Sequence, residues 1–214
     1  MRKIVGFAAV LLSLTALWGC SHTVTVQVPP RVDLQSYGTL GLVDFASNSN
    51  GSINAQTTRE FESHVHAAQP GTRIVELGSR DALLAAVGSR QLDAQALRRI
   101  GEKYGVDAIF VGSVSYSEPK TEVKVTDVAR LEGGVRVELR GDINGKLIET
   151  RTGASVWSSS AWARRQLGSM SVSAEQGING AMRSSSSPRE EMVPSLVYHL
   201  TEDFRPTSVR QKAP

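Results

Sequence analysis

The run Val106-Asp-Ala-Ile-Phe-Val-Gly-Ser-Val114 is apolar at odd and even positions alike. Successive side chains of a strand point to opposite faces of the sheet, so this stretch has no side to turn toward water. It reads as a central strand covered on both faces, which requires a layered fold with a sheet in the middle. Thr39-Leu-Gly-Leu-Val-Asp-Phe45 is a second compact apolar run, bounded by Gly38 and by the Asn/Ser/Gly stretch 47–54. The folded part is expected to begin there.

Between these strands the period changes. Ile53, Thr57, Phe61, Val65 and Ala68 recur at helical spacing and stop at Pro70-Gly71, which predicts a helix. Arg73–Leu77 reads as a strand. Ser79 is placed to cap a short helix over Arg80–Val87 that Gly88 ends, and Asp93 to cap a further helix running to Gly105. Leu92 and Leu97 form its hydrophobic staple, and Ala96, Ile100 and Tyr104 continue the apolar stripe.

Beyond Tyr116 residues 120–129, 135–149 and 154–163 alternate at period two, as antiparallel strands do. Glu132-Gly133-Gly134 and Arg151-Thr152-Gly153 supply the expected turns. Residues 164–187, rich in Ser and Gly without a sustained period, read as a mobile loop. Ser187-Pro188-Arg189-Glu190 suggests a capping box. It leads into a closing helix with a stripe of Val193, Leu196, Val197, Leu200 and Phe204, which Pro194 kinks or starts. The expectation is an α/β fold, β-α-β-α-α-β followed by antiparallel strands and a C-terminal helix, with helices packed on a central mixed sheet over residues 37–204. Residues 205–214 read as a flexible tail.

The amino terminus carries an export signal. Arg2 and Lys3 precede an almost wholly apolar run, Ile4–Trp18, too short to span a bilayer comfortably. Leu17-Trp18-Gly19-Cys20 contains the chain's only cysteine. The motif resembles the bacterial lipobox, which implies cleavage between Gly19 and Cys20 and acylation (diacylglyceryl, palmitate) of Cys20. Residues 1–19 are then a signal peptide. Acyl chains contribute roughly 0.8 kcal/mol per buried methylene, enough for several to hold a domain at a membrane. Ser21, not aspartate, follows the cysteine, which by the same resemblance implies the outer membrane.

Residues 20–36 read as the lipidated cysteine and a short tether. Val24, Val26 and Val28 in it alternate as an edge strand would. Sixteen residues reach at most about 55 Å, which keeps the domain close to its membrane. With one cysteine no intramolecular disulfide can form, and burial alone must hold the fold. Removing Arg2 and Lys3 leaves 22 basic against 21 acidic residues, a balance that gives no reason to expect nucleic acid.

The order of elements, with the strings "YGVDAIFVGSV" and "LIETRTGASVWSSSAWAR", resembles the periplasmic domain shared by CsgG, the amino-terminal domain of TolB, and LpoB. The second string matches the "xxTGxxxW" turn of these families at Thr152, Gly153 and Trp157. The resemblance implies an architecture over residues 39–204; its motifs carry no chemistry.

The catalytic inventory is sparse. His64 and His66 lie two apart on a helix, about 200° around its axis, and cannot share a metal. His199 reads as a partly buried structural residue. Ser184–Ser187 has nothing beside it to activate a hydroxyl. No metal, cofactor or catalytic residue is expected, and no enzyme. Trp157 and Trp162 differ in parity and should face opposite sides of the sheet, one in the core and the other covered by a helix or free as an anchor. Trp162, Arg164, Arg165 and Arg183 are the candidate partner-binding residues, the arginines as a rim for carboxylates on a protein or on peptidoglycan.

The expected function is a non-catalytic outer-membrane lipoprotein that binds another envelope protein as an accessory or assembly factor. Homo-oligomerisation stays open. The alternatives come from the resemblance: an LpoB-like activator of a peptidoglycan synthase, or a CsgG-like oligomeric secretion component. The short tether argues against the first, whose relatives use a long linker. Against the second, residues 118–134 carry charges on both parities and residues 164–187 look too polar for membrane hairpins.

Overall fold

The computed structural model describes residues 23–127, 132–173, 177–182 and 187–212. The expectations for the signal segment, Gly19, Cys20 and Arg183 lie outside these residues. The chain forms two units.

The smaller is an antiparallel ribbon of β1 (Thr23–Val28) and β10 (Thr207–Lys212), in register at Val26 and Val209. The expected frayed tail is thus a strand. Backbone N–H and C=O groups seek partners, and the alternating Val24, Val26 and Val28 offer Thr207–Lys212 a complementary ladder.

The larger unit runs from Pro30 to Arg205. Its strands are β2 (Leu40–Val43), the two-residue β3 (Ala46–Ser47), β4 (Ile74–Gly78), β5 (Ala108–Tyr116), β6 (Lys120–Asp127), β7 (Glu132–Glu149), β8 (Ser155–Ser173) and β9 (Gly177–Met182). Its helices are α1 (Gly51–Ala68), α2 (Arg80–Ala86), α3 (Ala94–Tyr104) and α4 (Val193–Leu200). The sheet order is β4-β2-β5-β7-β8-β9, with β3 beside β5 and β6 beside β7. The strands β4, β2 and β5 are parallel; β5 to β9 are antiparallel. This is the mixed sheet that the sequence predicts.

The helices start where their caps allow. Asn50, Ser79 and Asp93 accept from the main-chain N–H groups of Ile53, Ala82 and Ala96, satisfying donors that a helix start leaves free. The strand β5 is covered on both faces as its composition demands. Ala108 and Phe110 join a core with α1 and α4, while Ile109 joins a second core with Leu83, Leu97 and Ile100 of α2 and α3. Gly112 lets this packing close, since a Cβ there would lie 2.2 Å from the Phe45 ring. Aromatic rings bind the larger core: Phe61 is 5.0 Å from Phe110, and Phe204 is 4.7 Å from Trp157.

The core reaches further toward the amino terminus than expected. Leu34 is fully buried, in a segment read as tether. The Gln69 side chain holds it there: its carbonyl accepts from Leu34 N–H at 2.8 Å, and its NH2 donates to the carbonyls of Val32 and Phe204 at 2.6 and 3.1 Å. The compact unit therefore starts at Pro30 and not at residue 37.

Two further expectations fail at the carboxyl-terminal half. Residues 164–173 and 177–182 are not a loop: β8 continues to Ser173 and β9 (Gly177–Met182) pairs with it. Glu132-Gly133-Gly134 lies inside β7. The capping box is not formed, because Glu190 accepts from Ser52 Oγ at 2.9 Å and a 3-10 turn over Glu190–Met192 precedes α4. Pro194 sits in the first turn of α4 and marks its start, where a missing N–H costs nothing. A turn at Thr152-Gly153 joins β7 to β8, as the resemblance implied; in it Gly153 has φ +77° and Thr152 donates to Glu149.

Candidate functional site

Beyond the end of the helix layer the sheet continues as a blade of four strands, β6-β7-β8-β9. Thr121, Val123 and Val125 pair in register with Val137, Val135 and Gly133 of β7, which in turn face Gly168, Met170 and Val172 of β8. Gly180 of β9 stands opposite Met170. Side chains directly opposite one another share a face, so Val123, Val125, Val135, Val137 and Met170 form an apolar patch across β6, β7 and β8. Val123 is 70% exposed, Val125 64% and Met170 46%. The other side carries Lys120, Glu122, Lys124, Arg136, Glu138, Gln166 and Ser169 in mutual register. A hollow of about 710 Å³ opens at Gly133 and Gly134, where side chains are missing.

The apolar side continues the face on which α1 and α4 pack, because Leu139, Ile143 and Leu147 of β7 are core residues on the same parity. Sequence reasoning missed this surface for a physical reason. Between Val137 and Glu138 the ladder shifts by one residue, leaving Leu167 as the extra residue of β8. A bulge of this kind moves subsequent side chains to the opposite parity: Ala161, Ala163 and Leu167 pack toward the core at odd positions, while Met170 takes that side at an even one. Over residues 120–124 the charges of β6, Lys120, Glu122 and Lys124, lie on one face.

A second uncovered surface lies on the opposite side of the central sheet. There α2 and α3 pack on β4, β2, β5 and Ile148 at the end of β7. Asn144, Lys146, Ser158, Ser160, Trp162 and Arg164 share the face left open. Trp162 is 56% exposed, against 5% for Trp157, so the two indoles face opposite ways as parity predicts. Trp157 donates to Asp203 at 3.1 Å within the core. The guanidinium groups of Arg140 and Arg164 lie 5.2 and 5.3 Å from the Trp162 ring centre. Arg140 grips Asp142 through three hydrogen bonds of 2.6–3.1 Å, which hold the Asp142 carboxyl below the usual carboxylate range.

Of the candidate binding residues, then, Trp162 and Arg164 stand together. Arg165 is on the other face and pairs with Glu191. The histidines do not converge: His64 meets the Tyr198 ring edge-on, and His199 is exposed on α4, not partly buried. Among the described residues no group of three or more His, Cys, Asp or Glu is placed to hold a metal ion, and no helix is long and apolar enough to cross a membrane. Tyr116, whose hydroxyl donates to the Arg189 carbonyl at 3.0 Å, has its pKa pushed up to about 12 by burial, against the opposing pull of the Arg189 cation.

No family model and no curated protein matches the chain. Solved structures similar to it include bacterial lipoproteins. A PelC dodecamer from Paraburkholderia phytofirmans is 13% identical, with 86% of this chain and 98% of that one covered at a TM-score of 0.42. A lipoprotein from Neisseria meningitidis is 11% identical, with 75% and 94% covered at 0.37. The LpoB C-terminal domain from Escherichia coli is 18% identical, with 62% and 87% covered at 0.34.

Proposed function

We propose that this chain is a non-catalytic outer-membrane lipoprotein, acylated on Cys20 after cleavage behind Gly19, whose periplasmic domain binds another envelope protein as an accessory or assembly factor. One observation carries the reading: the blade exposes an apolar face across β6, β7 and β8, past the helices that clothe the rest of that side. Contiguous apolar surface of this kind on a folded chain marks an interaction site. Covering it contributes about 25 cal/mol for each Å² removed from water. Only nine residues separate Cys20 from Pro30, so the partner lies at or near the same membrane, which disfavours a long-reach activator of the LpoB kind.

A CsgG-like oligomeric secretion component is the second reading, favoured by the same alternation. An apolar side, a polar side and open outer strands at β6 and β9 are what a stave of a membrane barrel needs. Length favours the first. From Gly133 to Val137 the free apolar face of β7 rises only about 14 Å, against a lipid-facing band of about 25 Å.

A photo-crosslinking residue at Val123 or Met170, activated in intact cells, tests both. The first reading expects one discrete protein adduct. Adducts to lipid and to other copies, with rings in electron micrographs of the detergent extract, would replace it by the second. Failure to crosslink anything would remove both. Mass spectrometry of the mature amino terminus tests the anchor separately, since a free thiol on Cys20 refutes it.

A further inference from the structure

We infer that the open face of the central sheet around Trp162 is a binding platform for a carboxylate-bearing glycan. The platform is independent of the blade and of any protein docked there. It has three parts, and their combination selects the ligand.

The first is the indole itself. Trp162 is 56% exposed on the sheet, with the Arg140 and Arg164 guanidinium groups over its ring, and its same-face neighbours Ser160, Arg164 and Asp142 are polar rather than apolar. Protein hot spots sit in apolar, water-excluding surroundings; this aromatic has none. A pyranose suits it better, because one sugar face presents C–H groups to stack on the ring while the rim presents hydroxyls to the polar neighbours.

The second part is that polar field. Asn144 donates to Ser113 at 2.9 Å, which orients its amide within the plane, and Ser158 and Ser160 continue it toward the other end of β8. Side chains on one face of a strand repeat every ~6.8 Å, so Ser158 to Arg164 spans about 20 Å, a track for several sugar units.

The third is charge. Arg140 and Arg164 are directly opposed across the β7–β8 ladder, an arrangement that like charges disfavour. Asp142 neutralises Arg140 alone. Arg164 makes no ion pair among the described residues, and its guanidinium is held against Trp162. A sugar carboxylate stacked beside the indole would meet a planar, two-donor partner already in place, the geometry for which arginine is suited.

The test uses the full detergent-solubilised chain, titrated with oligogalacturonate, with neutral chito-oligosaccharide and with poly-glutamate, and read by tryptophan fluorescence and calorimetry. Oligogalacturonate is expected to bind and to shift the emission. Trp162→Ala should weaken it ~tenfold or more, the size of a lost aromatic stack. Arg164→Gln should weaken it ~fivefold and flatten its salt dependence while leaving any neutral-sugar binding unchanged. Unaltered thermal unfolding of both variants, expected for exposed positions, separates lost binding from lost fold. The proposal is overturned if oligogalacturonate fails to bind at millimolar concentration, if Trp162→Ala binds it as the parent does, or if poly-glutamate binds with equal affinity and the same dependence on Trp162. Crosslinks from the blade should be unchanged in Trp162→Ala, so the two readings fail separately.

Discussion

Replacing Gln69 by leucine removes one side-chain amide and keeps a similar volume. The cost can be counted from the structure. The Leu34 N–H loses its 2.8 Å acceptor in a buried setting, and the carbonyls of Val32 and Phe204 lose their 2.6 and 3.1 Å donors. A buried donor left unpaired costs about 1–3 kcal/mol, and each further lost bond about 0.5–1.5 kcal/mol. The sum is about 2–6 kcal/mol, a large part of the roughly 5–15 kcal/mol that holds an ordinary domain. At about 2–4 °C per kcal/mol for a unit of this size, Tm should fall by roughly 4–24 °C in a calorimetric or circular-dichroism melt. Gln69→Glu keeps an acceptor for Leu34 but sets a buried carboxylate oxygen against the carbonyls of Val32 and Phe204, so Tm should fall at least as far. Hydrogen exchange supplies the local signature, with protection lost first at Leu34. A Tm within ~2 °C of the parent, together with a protected Leu34 amide, would show that the segment 30–36 is held by something other than this amide.

Val123→Asp combined with Val125→Asp should leave unfolding within about 0.5 kcal/mol per site, as for exposed positions, while abolishing crosslinks from Met170; crosslinking that persists removes the blade as the docking face. Gly153→Ala, at φ +77°, should cost about 1–2 kcal/mol in chemical denaturation. Gly112→Ala should cost more, about 1–3 kcal/mol or beyond, because its Cβ would meet the Phe45 ring at 2.2 Å; a neutral result at Gly112 would contradict the packing of Phe45. Tyr116 ionises near pH 10 in an unfolded chain and near 12 in the fold. The raised folded pKa contributes stability that is whole below pH 10 and declines as pH rises toward 12. Denaturant midpoints measured across that window should fall in the parent and fall less in Tyr116→Phe; equal slopes would mean that the phenol is not shielded.

Much of the architecture was legible in local pattern. Both-parity apolarity in residues 106–114 called for a sheet covered twice, and Ile109 and Phe110 do enter different cores. Ser79 and Asp93 were readable as caps because capping joins residues three apart in sequence. The opposition of Trp157 and Trp162 followed from counting along one regular stretch of strand. None of these inferences required knowledge of a distant partner.

What remained hidden depended on such partners. The tail became a strand because β1, some 180 residues earlier, offers it a ladder. Leu34 became core because Gln69 and Phe204 reach it across the fold. The blade escaped notice because its register shifts are set between strands, so that β8 changes its apolar parity at Leu167 with no local sign. Period-two reading assumes an unbroken ladder, and only the paired strand shows where that assumption fails. The open platform around Trp162 is likewise a tertiary fact: whether a helix covers an indole is decided by where α2 and α3 come to rest, not by the residues on either side of it.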